Sequence, residues 1–122
     1  MSPTRAANAY RSSFYTTPFH IQLAQLHKRA WVLTHEVAKS VEREEMELAR
    51  QSIQEIENII AFLRSSLDLT FEAAEKADAA YAFYYNIMVQ WFLNPSSYVD
   101  NINNVIEFWD SWAQTWEKVA NR

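Results

Sequence analysis

The chain has 122 residues, enough for one domain with its own core, and it contains neither cysteine nor glycine. These absences exclude disulfides, thiolate chemistry and the glycine-rich loops that bind nucleotide phosphates. Acidic residues outnumber basic ones by 15 to 11, so we expect no nucleic-acid partner, because phosphate binding needs a surplus of cations. No apolar run reaches the roughly 18 residues that cross a bilayer. Residues 1–9 lack the apolar stretch of a signal peptide, so we expect neither membrane insertion nor secretion.

The first 17 residues are polar but carry three aromatic side chains, Tyr10, Phe14 and Tyr15. Thr17 and Pro18 then favour a helix start, because threonine is a common capping residue and proline is favoured in the first helical turn. We therefore predict a flexible N-terminal arm over residues 1–17 and a helical domain over residues 18–122.

Apolar residues recur at steps of three and four over residues 18–40, the spacing of one helix face. This first stripe consists of Phe19, Leu23, Leu26, Ala30, Leu33 and Val37. A second stripe, in a different phase, consists of Met46, Ala49, Ile53, Ile56, Ile60, Leu63 and Leu67. The change of phase predicts a turn at residues 40–44 and a second helix over about residues 44–66. Because glycine is absent, we expect the left-handed helix stop that glycine usually makes to be missing.

The remaining two helices are separated by residues that favour caps and turns. Thr70 is the predicted N-cap of a third helix over about residues 71–93. Pro95 disfavours helical geometry at the residue before it and so ends the third helix. A fourth helix is predicted over about residues 98–120. Four amphipathic helices joined by short turns predict an all-α fold, an antiparallel up-down four-helix bundle.

The helices carry more large apolar residues than a bundle core needs, since about three positions in seven suffice. The residues beside the main stripes are Ile59, Phe62, Phe83, Ile87, Phe92, Val105, Phe108 and Trp112. We expect them to flank the core and line exposed grooves, which usually mark binding surfaces and suit an amphipathic partner helix. Two alternatives remain open at this point, a wider core or the interface of a homodimer.

Residues that could catalyse a reaction or bind a metal ion are few, and their spacing does not suit such a site. His20, His27 and His35 follow one another at steps of seven and eight, about 10 Å apart along a helix, which is too far for one metal ion. We expect all three to be solvated or half-buried surface residues. Neither a nucleophile–base pair nor a di-iron carboxylate pattern occurs. We therefore predict no enzymatic activity, with no catalytic residues, no metal and no cofactor.

Three stretches resemble one known family in order and spacing: NAYRSSFYTTPFHIQLAQLHKRA from residue 8, FLRSSLDLT from residue 62 and YAFYYNIM from residue 81. They are similar to the flagellar secretion chaperones that bind flagellin. The matching positions are Asn8, Tyr10, Thr17, Pro18, Leu23, Leu26, Ser65, Ser66, Leu67, Asp68, Tyr81, Tyr84, Met88 and Trp116. The chain resembles a divergent member, because the family's Ser-Pro is Thr17-Pro18 here, its Leu-Tyr is Leu26-His27, and its Gly-Gly after the Ser-Ser-Leu-Asp turn is absent.

The resemblance implies a cytoplasmic chaperone without catalytic steps. Such a protein binds the C-terminal helical segment of flagellin, prevents its premature polymerisation and aids type III export, with flagellar export components as further partners. The resemblance also implies that the arm covers part of the binding surface when the client is absent. The residues predicted to bind the partner are Tyr10, Phe14, Ile56, Ile59, Ile60, Leu63, Tyr81, Tyr84 and Met88. The alternative is a helical dimerisation or regulatory module with a different client, which forms a homodimer through its aromatic fourth helix.

Overall fold

The computed structural model describes the backbone of residues 19–120 and the side chains of residues 19–118. Its elements are helix α1 (Phe19–Glu42), helix α2 (Met46–Ser65), helix α3 (Glu72–Leu93), a short 3₁₀ helix (Pro95–Asp100) and helix α4 (Ile102–Ala120). Within this part of the chain there is no strand, and no helix is long and apolar enough to span a bilayer. The predicted all-α fold is confirmed.

Consecutive long helices run antiparallel, as the contacts between α2 and α3 show. Arg64, late in α2, pairs with Asp78, early in α3, whereas the guanidinium of Arg50, early in α2, donates to the backbone oxygen of Phe92, late in α3. Helix α1 packs against both α2 and α4, and α2 packs against both α1 and α3. The four helices therefore form the predicted up-down bundle.

The core consists of most of the predicted stripe residues and of residues at their edges, whereas Phe19, the first residue of the first stripe, is 53% exposed. Trp91 and Trp109 are the largest side chains that are fully buried. Burial of one large apolar side chain contributes about 1.5–3 kcal/mol, so the stripes supply the main favourable term in folding.

Four residues expected to flank the core lie inside it instead: Ile59, Phe62, Ile87 and Val105. Ile59, for example, is 0% exposed. Helix α2 has neighbours on two sides, so its buried face is wider than a single stripe. The wider core is thus the correct alternative for these four residues. The other four flank the core as expected, with Phe83 and Phe92 exposed and Phe108 and Trp112 half-buried.

The turn between α1 and α2 contains a left-handed helix stop made without glycine. Glu44 has a φ of 60°. Its backbone N–H donates to the oxygen of Val41 at 3.0 Å, and that of Glu45 donates to the oxygen of Ser40 at 2.8 Å. These bonds form a Schellman motif, which satisfies the last carbonyls of α1. The expectation that such a stop is missing is wrong, because a glutamate can adopt this conformation at a cost of about 1–2 kcal/mol.

Helix α3 begins at Glu72, and Thr70 does not cap it. The backbone N–H and the hydroxyl of Thr70 both donate to Oδ1 of Asp68, at 3.1 and 2.7 Å. Phe71 occupies the N-cap position without a side-chain hydrogen bond. The prediction of Thr70 as N-cap is wrong because Asp68 engages this residue in a local turn before the helix starts.

Pro95 follows the end of α3 as predicted, but the last helix starts later than expected. The short 3₁₀ helix intervenes, so α4 begins at Ile102 instead of near residue 98. The side-chain oxygen of Asn101 accepts a hydrogen bond from Nε1 of Trp91 at 2.7 Å. This bond fixes the start of α4 against the end of α3.

Candidate functional site

Three of the four seams between neighbouring helices are bridged by an ion pair. Arg29 pairs with Glu55 across α1/α2 at 3.2 Å, Arg64 with Asp78 across α2/α3 at 2.7 Å, and Lys28 with Glu117 across α1/α4 at 3.2 Å. The hydrogen bonds from Arg64 also lower the pKa of the Asp78 carboxyl. Among the described residues, no ion pair crosses the α3/α4 seam. Of the four seams, as far as the described residues form them, this one is open to a partner without the loss of an ion pair.

The α3/α4 seam contains a groove of about 290 Å³. This α3/α4 groove is lined by Tyr84, Asn104, Glu107, Phe108, Ser111 and Trp112. Tyr84 comes from α3 and the other five residues from α4. Along α4 they fall at steps of three and four, so one face of the helix supplies most of the lining.

Aromatic rings form the walls of the α3/α4 groove. Tyr84 stacks on Phe108 with ring centroids 3.9 Å apart, and Phe83, beside the groove, meets Tyr84 edge-on at 5.2 Å. Tyr81, which is buried, stacks on Trp112 at 5.9 Å. Aromatic pairs contribute about 0.5–1.5 kcal/mol beyond the area that they bury. The groove is thus held in shape by ring contacts where the other seams have ion pairs.

The aromatic walls are accessible to solvent. The lining residues Tyr84 and Phe108 are half-buried, and Phe83, which packs against Tyr84 beside the groove, is 61% exposed. Trp112 and Trp116, also half-buried, stack at 6.4 Å and extend this surface toward the end of α4. An accessible apolar surface of this kind usually marks a binding site, and a groove between helices suits the apolar ridge of an amphipathic helix.

A buried histidine lies directly beneath the α3/α4 groove. His27 is 0% exposed, and its ring lies 5.8 Å from that of Trp112. Nδ1 of His27 is 2.7 Å from the backbone oxygen of Leu23, so Nδ1 carries the proton and donates it to that oxygen. Nε2 therefore accepts a hydrogen bond from the hydroxyl of Tyr81, also at 2.7 Å.

The expectation that all three histidines lie at the surface is wrong for His27. Its ring is buried because Tyr81 and the Leu23 carbonyl satisfy both ring nitrogens inside the core. His20 and His35 are half-buried, as expected.

The His27–Tyr81 pair is neutral at physiological pH. Burial lowers the pKa of His27 to about 4, although the hydrogen bond to Leu23 acts in the opposite direction. Burial likewise raises the pKa of Tyr81. Both side chains stay neutral and keep their hydrogen bonds, so they support the groove lining from the core. Neither has a pKa near physiological pH, which a general acid or base would need.

Two further grooves have a different character. The α1/α2 groove, of about 390 Å³, is lined mainly by charged and polar side chains, and the exposed Leu48 also lines it. The α1/α4 groove, of about 280 Å³, contains the Lys28–Glu117 ion pair. Within the described residues, no group of three or more histidines and carboxylates is placed to hold a metal ion.

The residues predicted to bind a partner are distributed between the core and the α3/α4 groove. Tyr10 and Phe14 lie outside the described residues. Six others are buried: Ile56, Ile59, Ile60, Leu63, Tyr81 and Met88. Tyr84 is half-buried and lines the α3/α4 groove. A direct contact between a partner and the six buried residues would require the helices to separate.

Three lining residues were not predicted at all: Asn104, Glu107 and Ser111. A signal for them exists in the sequence, because they recur at steps of three and four beside Phe108 and Trp112. Phe108 and Trp112 were predicted as flanking residues, and the structure brings both to the groove.

Comparison with known protein families gives one match. The family model for flagellar protein FliS matches residues 3–122 of the chain. Neither the curated proteins nor the solved structures yield a match. The predicted membership of the flagellar secretion chaperone family is thereby confirmed. Because the match spans nearly the whole sequence, the chain belongs to the flagellar protein FliS family, a family of flagellar chaperones.

Proposed function

We propose that the chain is a cytoplasmic export chaperone that binds the C-terminal helical segment of flagellin. It would keep flagellin from polymerising prematurely and deliver it for type III export. Family membership supports the chaperone role. One observation supports the site: the α3/α4 groove is aromatic, accessible and not crossed by an ion pair among the described residues.

In this proposal the client helix lays its apolar ridge against the walls of the α3/α4 groove. Phe83 and Phe108 would contact the client directly, as would Tyr84 from the predicted set. Apolar surface removed from water stabilises a complex by about 25 cal/mol per Å², and a few aromatic anchors usually supply most of the affinity. No covalent step is involved, so the client is released by reversible dissociation.

The buried members of the predicted set would act through the groove's shape. Tyr81 stacks on Trp112 and donates to His27, so it orients a wall that the client would touch. Ile56, Ile59, Ile60 and Leu63 lie on α2, which contacts α3 from the other side. We expect substitutions there to lower stability first and client affinity as a consequence.

The N-terminal arm has a proposed role in the free protein. Tyr10 and Phe14 would occupy the groove and give way to the client. Deletion of residues 1–16 is then expected to tighten client binding or to provoke self-association. An unchanged affinity together with an unchanged size would refute this role.

The function is tested by titrating the purified full chain with a peptide of the flagellin C-terminal segment in a calorimeter. Phe83→Ser should weaken binding about 10-fold or more, because loss of an interface anchor commonly costs more than 1 kcal/mol. Leu48→Ser is the matched control, since Leu48 is 48% exposed but lies in the α1/α2 groove. No binding by the wild-type chain would refute the function. Equal effects of the two variants would refute the site.

A measurement of molecular mass with and without the peptide separates this function from the alternative. A monomer that forms a one-to-one complex with the peptide supports the export chaperone. A stable dimer that is indifferent to the peptide supports a dimerisation module instead.

A further inference from the structure

Of the described residues that line the α3/α4 groove, one is charged, Glu107. This residue is exposed, and its carboxylate lies near enough to Tyr84 that its negative charge, second to burial, raises the pKa of that phenol. Among the described residues, no basic side chain contributes to the lining. The groove therefore combines an apolar surface with a negative charge at its edge.

Glu107 differs from the neighbouring acidic residues of α4 in its contacts. Glu117 pairs with Lys28, and Asp110 accepts a hydrogen bond from the side chain of Gln114 at 3.0 Å. Among the described residues, Glu107 makes no ion pair. Its carboxylate is thus available to a cation brought by a partner.

The surroundings of Glu107 favour a long basic side chain. Asn104 and Ser111, three residues before and four residues after Glu107, lie on the same face of α4 and line the same groove. They offer polar atoms beside the carboxylate, while the rings of Tyr84 and Phe108 offer π-faces that attract cations. A lysine or arginine can lay its aliphatic stem across the rings and place its charged end at the carboxylate.

We propose that Glu107 selects the register of the client, by pairing with a lysine or arginine that lies beside the apolar ridge of the client helix bound in the α3/α4 groove. This inference rests on the proposed function and adds the chemistry of the bound segment. An apolar ridge alone can slide by one helical turn at little cost, whereas a charge pair at one position penalises every other register.

The test compares Glu107→Gln and Glu107→Lys with the wild-type chain, using the flagellin C-terminal peptide in a calorimeter at low and high salt. Asp110→Asn and Asp110→Lys are matched controls, since Asp110 lies on the same helix but lines the α1/α4 groove. We expect Glu107→Gln to weaken binding about three- to ten-fold at low salt and Glu107→Lys to weaken it further, with both effects shrinking at high salt. The Asp110 variants should bind as the wild type does.

Charge reversal in the peptide identifies the client residue that pairs with Glu107. Each lysine or arginine of the peptide is changed to glutamate in turn, and one such peptide should regain affinity for Glu107→Lys while losing affinity for the wild type. If the wild type binds the peptide but Glu107→Lys binds equally well, or if no reversed peptide restores binding, the pairing is refuted and the chaperone function stands. If the wild type does not bind the peptide, both are refuted.

Discussion

Acidification should unfold this protein partly through one residue, His27. The unfolded chain takes up a proton at His27 near its ordinary pKa of 6.5, whereas burial lowers the pKa in the folded chain to about 4. The folded state therefore favours the neutral ring, and its stability is fully present above about pH 7. It is lost progressively as the pH falls from 6.5 toward 4, and the loss levels off once the folded chain is protonated too.

The size of this effect follows from the pKa difference. Each pKa unit corresponds to about 1.4 kcal/mol, so the difference at His27 amounts to about 3 kcal/mol at pH 4. This is a large share of the roughly 5–15 kcal/mol by which a typical domain is stable. His27→Gln removes the titrating group and keeps an acceptor for the hydroxyl of Tyr81.

The assay is urea unfolding, followed by far-ultraviolet circular dichroism at several pH values between about 7 and 4.5. The free energy of unfolding of the wild type should fall by about 2–3 kcal/mol more than that of His27→Gln over this range. Glu57, whose pKa burial raises, titrates in both proteins, so its effect cancels in the comparison. Identical pH dependence in the wild type and His27→Gln would show that His27 is not held neutral by burial.

Three further predictions concern the fold. Tyr81→Phe removes the hydrogen-bond donor to Nε2 of His27 and should cost about 1–3 kcal/mol in urea unfolding, and a wild-type stability would contradict this buried bond. Ile59→Ser places a hydroxyl in the core and should lower the free energy of unfolding by about 3 kcal/mol or more, whereas unchanged thermal unfolding would mean that Ile59 is accessible. Glu44→Gly should raise the free energy of unfolding by about 0.5–1 kcal/mol, because glycine adopts a positive φ without strain. A lower melting temperature for this variant would contradict the left-handed conformation.

The helices themselves were predictable because their signals are local. The three-four spacing of apolar residues identifies the buried face of α1 and α2, and a proline after α3 identifies its end. Neither signal needs knowledge of the rest of the chain. The antiparallel bundle then follows, since short turns leave consecutive helices side by side.

The side of each apolar stripe that stays exposed was not predictable in this way. Ile59 and Phe83 both lie beside a main stripe, yet Ile59 is buried and Phe83 is exposed. The difference depends on which helix lies next to that edge, which is a property of the assembled bundle. For this reason most of the predicted partner-binding residues lie in the core, and the accessible groove combines one of them, Tyr84, with residues of α4.

The burial of His27 was unpredictable for a similar reason. Its hydrogen-bond donor, Tyr81, is 54 residues away in the sequence and comes from another helix. Only the folded bundle brings the two together, and a lone histidine beside an apolar stripe is otherwise expected at the surface. The prediction of Thr70 as an N-cap was wrong for a different reason, because its hydroxyl donates a hydrogen bond to the nearby carboxylate of Asp68.

The stacked indoles of Trp112 and Trp116 provide an intrinsic fluorescence signal at the candidate site. Trp112 lines the α3/α4 groove and both rings are half-buried, so a helix laid over them would replace water at the chromophores and shift their emission to shorter wavelengths. Trp91 and Trp109 are already fully buried, and their emission should respond far less. Occupancy of the groove can thus be followed in solution without an attached dye, and a Trp112→Phe variant identifies the part of the signal that comes from the groove.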